Sequence, residues 1–487
     1  DLVRSRGLGD VYKRQGLGRA HHRHPLLDHR HGAGAGRAVH VENPVSPFAG
    51  QSVAVVGLGK AGLPAALRLR EWGAAVTAWD DREPARAEAA AAGLRVADPA
   101  ANFHFDALLL SPGIPHLRPR VHPAAAAARA AGVPILVDAE FLFRAVRAAG
   151  SGARFAGITG TNGKSTTTAL LGHILASTGR PVAVGGNLGT AALSMPILPD
   201  DGIYALEMSS YMLERIDILR FNTAVMLNLS PDHLDRHGDM AGYRAAKMRI
   251  FARAQAGDLC LLGDDDDLTR GAMAGATHIS GEHATPAGIW AVDGVLQDAS
   301  GVILDLAEAP SLPGSHNAQN AAAACAMALH LGVPRPALAP ALRSYPGLPH
   351  RAELVGTHRG VRFINDSKAT NADSTARALE SHARVIWIAG GTGKEGGIAS
   401  LAPWFPRIAH AFLIGRDGPE FAASLAQAGV AHTVLESLEQ AVPAAAAKAF
   451  SGLADIVLLS PAAASWDQFT GFDARGDRFR ALVQELG

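Results

Sequence analysis

The stretch from Phe155 to Thr168 constrains this chain more than any other. An apolar strand, Phe155 to Ile158, runs through Thr159 into the loop Gly160-Thr161-Asn162-Gly163, and Lys164-Ser165-Thr166-Thr167 opens a helix. A strand joined to a helix by so short a loop places the positive, unpaired N–H end of the helix at the edge of a sheet. Such a turn cradles phosphate. Gly160 and Gly163 let backbone N–H groups approach an anion, Lys164 supplies a point charge for the outer phosphates, and the hydroxyl of Ser165 or Thr166 can ligate Mg²⁺. Ile158 stands where the first glycine of G-x-x-x-x-G-K-[ST] belongs, so the loop is a variant of that pattern.

With 487 residues the chain exceeds one ordinary core, and two or three domains are expected. Lysine plus arginine equals aspartate plus glutamate at 45 each, so no net field draws it to nucleic acid or an anionic membrane. Any anionic ligand must be held locally. Cys260 and Cys325 have no paired or metal-like spacing, which suits a reducing compartment. The longest apolar runs are short alanine stretches such as Ala124 to Ala128, far below the roughly 20 residues that span a bilayer. The expectation is a cytoplasmic monomer with no membrane insertion.

Four segments follow. Residues 1–49 read as a disordered or non-native leader: the part up to His40 is rich in Arg, His and Gly, includes His21, His22, His24, His29 and His31, and shows no sustained period. Residues 50–150 open with a strand, Ser52 to Val56, the turn Gly57-Leu58-Gly59-Lys60-Ala61-Gly62, a helix to about Trp72 and a strand ending at Asp80 and Asp81, a nucleotide-binding βαβ start. Taken alone, this glycine pattern with an acid about 20 residues on also reads as NAD binding. Leu108 to Leu110 lead into Ser111-Pro112-Gly113, at a strand's carboxyl end where open α/β sheets bind ligands. Residues 151–348 carry the phosphate loop, and residues 349–487 alternate strands and helices again. The fold class is α/β: Rossmann-like, ATPase-type and Rossmann-like domains, each on a mostly parallel sheet.

Three constellations follow the phosphate loop. Glu207 ends a buried strand, where a carboxylate either completes Mg²⁺ coordination or caps the next helix. Asp232-His233-Leu234-Asp235-Arg236-His237 is too dense in charge for an ordinary loop, the plain alternative being a solvated turn with local salt bridges. Lys247, on the helical stretch Tyr243 to Phe251, reads from spacing alone as an exposed solubilising lysine.

T-G-T-N-G-K-S-T, E-M-S-S-Y at Glu207, S-P-D-H-L-D-R-H at Ser230 and Y-R-A-A-K at Tyr243 resemble, in this order, the central domain of the Mur ligase family. Further matches are G-S-H-N-A-Q-N at Gly314, P-H-R at Pro349, N-D-S-K-A-T-N at Asn365, G-G-T-G-K at Gly390 and S-P-A-A-A-S-W-D-Q-F at Ser460, so the likeness runs from about residue 50 to the C-terminus. Trp466 stands where a leucine is expected.

The resemblance implies an ATP-dependent ligase that joins D-glutamate to UDP-N-acetylmuramoyl-L-alanine through an acyl phosphate. Lys164, Glu207, His233 and Lys247 would be catalytic. ATP would meet Gly160, Thr161, Asn162, Gly163, Lys164, Ser165, Thr166 and Thr167 of the loop, with Asn317, Asn320, Arg351, Asp366 and Lys368. The UDP substrate would meet Gly59, Lys60, Ala61, Asp80, Asp81, Ser111, Pro112, Gly113, Asn187 and His233, and D-glutamate would meet Thr370, Lys394, Ser465 and Phe472. Two Mg²⁺ ions would be held by Ser165, Glu207, His233 and Lys247, the lysine as a carbamate. Rival readings are another Mur ligase adding a different amino acid, an amino-acid ligase of the folylpolyglutamate synthetase type, a nicotinamide oxidoreductase using the first glycine turn, and a non-catalytic ATP-binding module.

Overall fold

Runs of β-branched and other apolar residues, buried on both faces, build three mainly parallel sheets, because helices returning over each face leave no solvated side. The structure is a computed structural model that describes residues 46–187, 189–393 and 396–486. The first sheet holds β1 (Ser52–Val56), β2 (Ala75–Trp79), β3 (Arg95–Val96), β4 (Ala107–Leu110) and β5 (Ile135–Leu136) in the order β3-β2-β1-β4-β5. The second holds β6 (Arg154–Thr159), β7 (Val182–Gly186), β8 (Ile203–Glu207), β9 (Thr223–Met226), β10 (Leu259–Gly263) and β11 (Thr277–Ile279), ordered β11-β10-β9-β6-β8-β7. Both are parallel throughout. The strand feeding the phosphate loop, β6, therefore lies inside its sheet, between β8 and β9. The loops that follow those three strands gather at one edge, the usual ligand position in an open sheet.

A small antiparallel sheet of β12 (Trp290–Val292), β13 (Val295–Asp298) and β14 (Gly301–Asp305) follows, which the sequence reading does not anticipate. Its signal is present: Asp293 and Gly294, both at positive φ, form the two-residue turn that hairpins favour. The last sheet runs β15 (Glu353–His358), β16 (Val361–Asn365), β20 (Ile456–Leu459), β17 (Val385–Gly390), β18 (Ile408–Ile414), β19 (His432–Val434). Its edge strand β15 is antiparallel, turned by Arg359-Gly360, again both at positive φ.

Apolar side chains from the first two sheets merge into one continuous cluster, whereas the last sheet carries separate clusters on its two faces. Buried polar contacts add to the first junction. Glu140, on the helix Asp138–Ala148, accepts the backbone N–H groups of Asp217, Ile218 and Leu219, and Arg215 donates to the carbonyls of Leu110, Ser111 and Pro112. Phe48, expected from sequence to belong to the leader, is 2% exposed and packs on Trp72 and Phe141, so folded structure begins before residue 50. The expected leader up to residue 45 lies outside the described residues. Trp466 is 71% exposed, so its indole takes no part in the core beside the buried Ser465. No helix among the described residues is long and apolar enough to cross a membrane.

Candidate active site

Gly160 and Gly163 have φ of 149° and 81°. A Cβ at Gly163 would lie 2.2 Å from Asn320 Oδ1, so the second glycine is required by crowding as well as by conformation. The loop is fastened from outside. Asn228 accepts the N–H of Thr161 on its carbonyl (2.9 Å) and that of Asn162 on Oδ1 (2.8 Å), and Thr161 Oγ1 accepts from the Ser230 N–H (3.0 Å). Thr167 Oγ1 donates to Asn320 Oδ1 and Asn320 donates to Asn317, which ties the helix Ser315–His330 to the helix Lys164–Ala176. Asn317 and Asn320 thus stand beside the phosphate loop in a shared cavity with Asn162, Gly163, Thr166, Arg351, Asp366 and Lys368.

Lys164 Nζ donates to the carbonyls of Gly160 (3.0 Å) and Thr161 (2.7 Å). Burial pushes its pKa down, the nearby Glu207 carboxylate pushes back, and the net shift is downward. Glu207 itself is buried, with Oε1 accepting from Asn187 Nδ2 at 2.7 Å and Oε2 without a partner among the described residues. Burial raises its pKa, but Lys164 and Lys368 outweigh that and hold the carboxyl ionised. A buried anionic oxygen without a partner, next to a hydroxyl-lined helix start, fits a hard cation. Thr166 Oγ1 and Arg351 Nε are likewise buried without partners among the described residues. No cluster of three His, Cys, Asp or Glu side chains forms a metal cage among the described residues. This donor set fits Mg²⁺, which is usually held by one or two carboxylates plus phosphate oxygens.

Lys247 overturns its reading as a surface lysine. It is 2% exposed, and its Nζ donates to the Gly160 carbonyl at 2.8 Å and lies 4.7 Å from the Tyr243 ring centroid. The helix Met240–Met248 packs its Tyr243-Lys247 face onto the phosphate loop, a placement that spacing alone does not reveal. Burial, with Lys164 close by, holds its pKa well below the ordinary lysine value.

The dense polar turn divides in two. His233, at φ 52°, has Nδ1 2.9 Å from the Tyr211 hydroxyl and Nε2 3.3 Å from Asp232. Arg236 and His237 are structural instead: Glu214 lies 3.6 and 3.0 Å from them.

On the first sheet, the loops after β1, β2 and β4 lie against one another. Asp80 accepts from the Leu58 N–H and from Arg82, which holds its pKa down despite burial, and a Cβ on Gly57 would lie 2.6 Å from Ser111 Cβ. Lys60 is exposed and Asp81 lies 3.4 Å from His122. Asn187 lies instead on the second sheet's edge, bonded to Glu207.

On the last sheet, Lys368 reaches inward: its Nζ lies 3.3 Å from Ser165 Oγ and 5.4 Å from the Phe472 ring centroid. Burial pushes it down to about 8, with Arg351 adding to the shift. Burial also pushes Asp366 up to about 6, although it accepts from Ser460 Oγ (2.8 Å). Thr370 follows on the same loop, its N–H donating to the Lys368 carbonyl. Ser465 lies next to Ala464, which pairs with Thr392. Lys394 lies outside the described residues.

Sequence reasoning misses Arg475. It is buried on the helix Phe472–Gln484 and donates to Ser367 Oγ, Ser367 O and Ala463 O, fastening the loops that carry Lys368 and Ser465. Its position three residues after Phe472 is the available signal.

The phosphate-loop region, residues 158–328, matches the model for the Mur ligase middle domain, and residues 350–463 match that for the Mur ligase, glutamate ligase domain. The UDP-N-acetylmuramoylalanine--D-glutamate ligase of Paramagnetospirillum magneticum is 50% identical over 446 residues, 89% of this chain and 96% of that protein. The ligase of the same name from Caulobacter vibrioides is 48% identical, covering 91% and 98%. Among solved structures, the UDP-N-acetylmuramate-alanine ligase MurC of Thermotoga maritima is similar in fold, with a TM-score of 0.56 at 19% identity over 90% of this chain and all of that one. MurF of Acinetobacter baumannii gives 0.54 at 18%, covering 72% and 81%. With both family domains matched in order, and with relatives half identical over nearly the whole chain, this chain belongs to the Mur ligase family.

Proposed function

We propose that this chain joins D-glutamate to UDP-N-acetylmuramoyl-L-alanine at the expense of ATP, as a cytoplasmic monomer in peptidoglycan precursor synthesis. Mur ligases are ATP-dependent. The carrying observation is Lys368: one lysine of the last sheet lies against both Ser165 of the phosphate loop and Phe472 of the expected D-glutamate cluster. This contact supports a reading in which amino-acid and phosphate chemistry meet in one place. The relatives that are half identical bear the matching ligase name.

A carboxylate is a poor electrophile, so its activation comes first. The γ-phosphoryl group passes from ATP to the alanyl carboxylate, giving an acyl phosphate and ADP. The amine of D-glutamate then attacks the acyl carbon; the C–N bond forms, the C–O bond to phosphate breaks, and the amine proton is lost. Lys164, Arg351 and Lys368 bring three cationic side chains to the phosphate end, where preorganised charge stabilises the transferring group. Ser165, Glu207, His233 and Lys247, the last as a carbamate, would hold Mg²⁺ ions, which supply further charge compensation. The neutral amine is the form that takes up CO₂, and burial shifts Lys247 toward that form, which supports the carbamate reading. Loops of the first sheet would hold the uridine diphosphate, and Thr370, Lys394, Ser465 and Phe472 the D-glutamate. The ligase names of the relatives favour this over the oxidoreductase reading of the first glycine turn.

The test is phosphate release with UDP-N-acetylmuramoyl-L-alanine and a panel of amino acids. Release with D-glutamate alone is expected. Release with another amino acid instead, or nicotinamide reduction in its place, would overturn the reading.

A further inference from the structure

The nucleotide cavity extends beyond the residues assigned to ATP, along a helix of the last sheet. The helix Ala372–Glu380 begins beside the phosphate loop, where Asn162 Nδ2 donates to Asp373 at 2.5 Å. Arg377 lies four residues on, on the same face, about 6 Å further along the axis. It lines the cavity, and its Nε is buried without a partner among the described residues. Tyr345 also lines the cavity, and its ring meets His173 at a centroid distance of 5.6 Å. His173 is nine residues along the helix from Lys164, about 13 Å from the phosphate loop. Tyr345 is 3% exposed, lines the same cavity, and its hydroxyl also has no partner among the described residues. His316 lines the cavity as well, pushed down to about 3 by burial, by Arg377 and by Arg351, and therefore neutral. The cavity thus holds the cations that suit phosphates, Lys368 and Arg351, together with two hydrogen-bonding groups left unused, one on Arg377, a helical turn beyond the contact with the loop, and one on Tyr345, beside a residue well along the phosphate-loop helix.

We propose that Arg377 and Tyr345 are the nucleoside-reading end of this cavity, their Nε and phenol hydroxyl hydrogen-bonding to the base or sugar of the bound nucleotide. The inference rests on the ATP reading above. It makes nucleotide choice depend jointly on the central sheet's domain, through Tyr345, and on a helix of the last sheet, through Arg377. A buried polar group that finds its partner only in the complex discriminates strongly against ligands that leave it unsatisfied.

The experiment measures equilibrium binding of a non-hydrolysable ATP analogue and of inorganic tripolyphosphate to the full chain and to Tyr345→Phe, Arg377→Gln and Arg377→Lys, with no other substrate present. Tyr345→Phe and Arg377→Gln are each expected to weaken ATP-analogue binding about tenfold while leaving tripolyphosphate binding unchanged. The corresponding 2′-deoxy, 3′-deoxy and guanine analogues then show which acceptor is read: the one whose penalty in the parent vanishes in a variant marks that variant's partner. Unchanged analogue binding in both variants overturns the inference while the ATP reading stands. Equal loss of tripolyphosphate binding also overturns it, since the residues would then act through the fold. Absence of analogue binding by the parent would overturn the ATP reading itself. Tyr345→Phe removes a single oxygen, so its result stands even where an Arg377 variant fails to fold.

Discussion

Lys247 shows how far burial alone changes what a residue can do. Its amine is packed against the Gly160 carbonyl and the Tyr243 ring, where a cation is disfavoured and a neutral, CO₂-accepting amine is not. Lys247→Ala is expected to be nearly inactive and partly rescued by short-chain carboxylic acids, with Lys247→Arg inactive and not rescued; phosphate release with and without added acid checks this. Asp366 carries the opposite strain. Its folded pKa of about 6 exceeds the free value of 3.8, so between these the folded protein holds a proton that the unfolded chain has released. Stability therefore falls as pH rises from about 4 to 6, and above 6 the cost of the buried charge is complete, about 1 to 3 kcal/mol. Asp366→Asn should melt higher than the parent at about pH 7.5, with the gap closing below about pH 4, because Ser460 can turn its proton to Thr375 Oγ1, 3.1 Å away. ATP-dependent turnover should fall in the same variant. A lower melting temperature near neutral pH would contradict the account.

At the scale of elements, the strand–loop–helix of residues 154–176 works because its glycines meet other elements. Gly163 faces Asn320 on the neighbouring helix, so Gly163→Ala combines a left-handed backbone with a contact of 2.2 Å. It should lose about 1 to 3 kcal/mol of stability and most ATP binding. Gly59, in the first sheet's turn, has no positive φ, and a methyl group added there would meet nothing within 4 Å. Gly59→Ala should leave the melting temperature unchanged. Thermal melts of the two variants side by side separate these cases.

For the whole molecule, the junctions differ in kind. The first two sheets share an apolar cluster and are cross-linked by Arg215 and Glu140, buried polar groups whose partners are mostly backbone. The last sheet meets the central one through side chains beside the phosphate loop, such as Lys368 with Ser165 and Asp373 with Asn162. Arg215→Met would orphan several buried carbonyls at Ser111-Pro112 and the adjoining turn, at a cost of about 3 kcal/mol, and loosen the loop expected to hold the UDP substrate. Denaturant unfolding should show the loss, and steady-state kinetics should show a larger rise in KM for the UDP substrate than for ATP.

The sequence by itself determined the elements whose signals are local. The phosphate loop and the strand-end acids Asp80 and Glu207 are set by glycine conformation, short connections and apolar runs, and the structure places these elements accordingly; the helix start at Gly314 was legible only through the family resemblance. The antiparallel hairpins were legible too, in Asp293-Gly294 and Arg359-Gly360, but had no functional motif to draw attention to them. Tertiary structure alone decided what each polar side chain faces. Lys247 and Lys164 are both lysines on helices next to hydroxyl-rich or alanine-rich turns, yet only packing shows that both amines close on the same Gly160 carbonyl. Arg236 and His233 share one turn, and only their neighbours make one a buried ion-pair partner of Glu214 and the other a partner of the Tyr211 hydroxyl. Arg475, Arg377 and Tyr345 carry no motif at all. Their roles arise from desolvation and from contacts between residues far apart in the chain, and a linear pattern encodes neither.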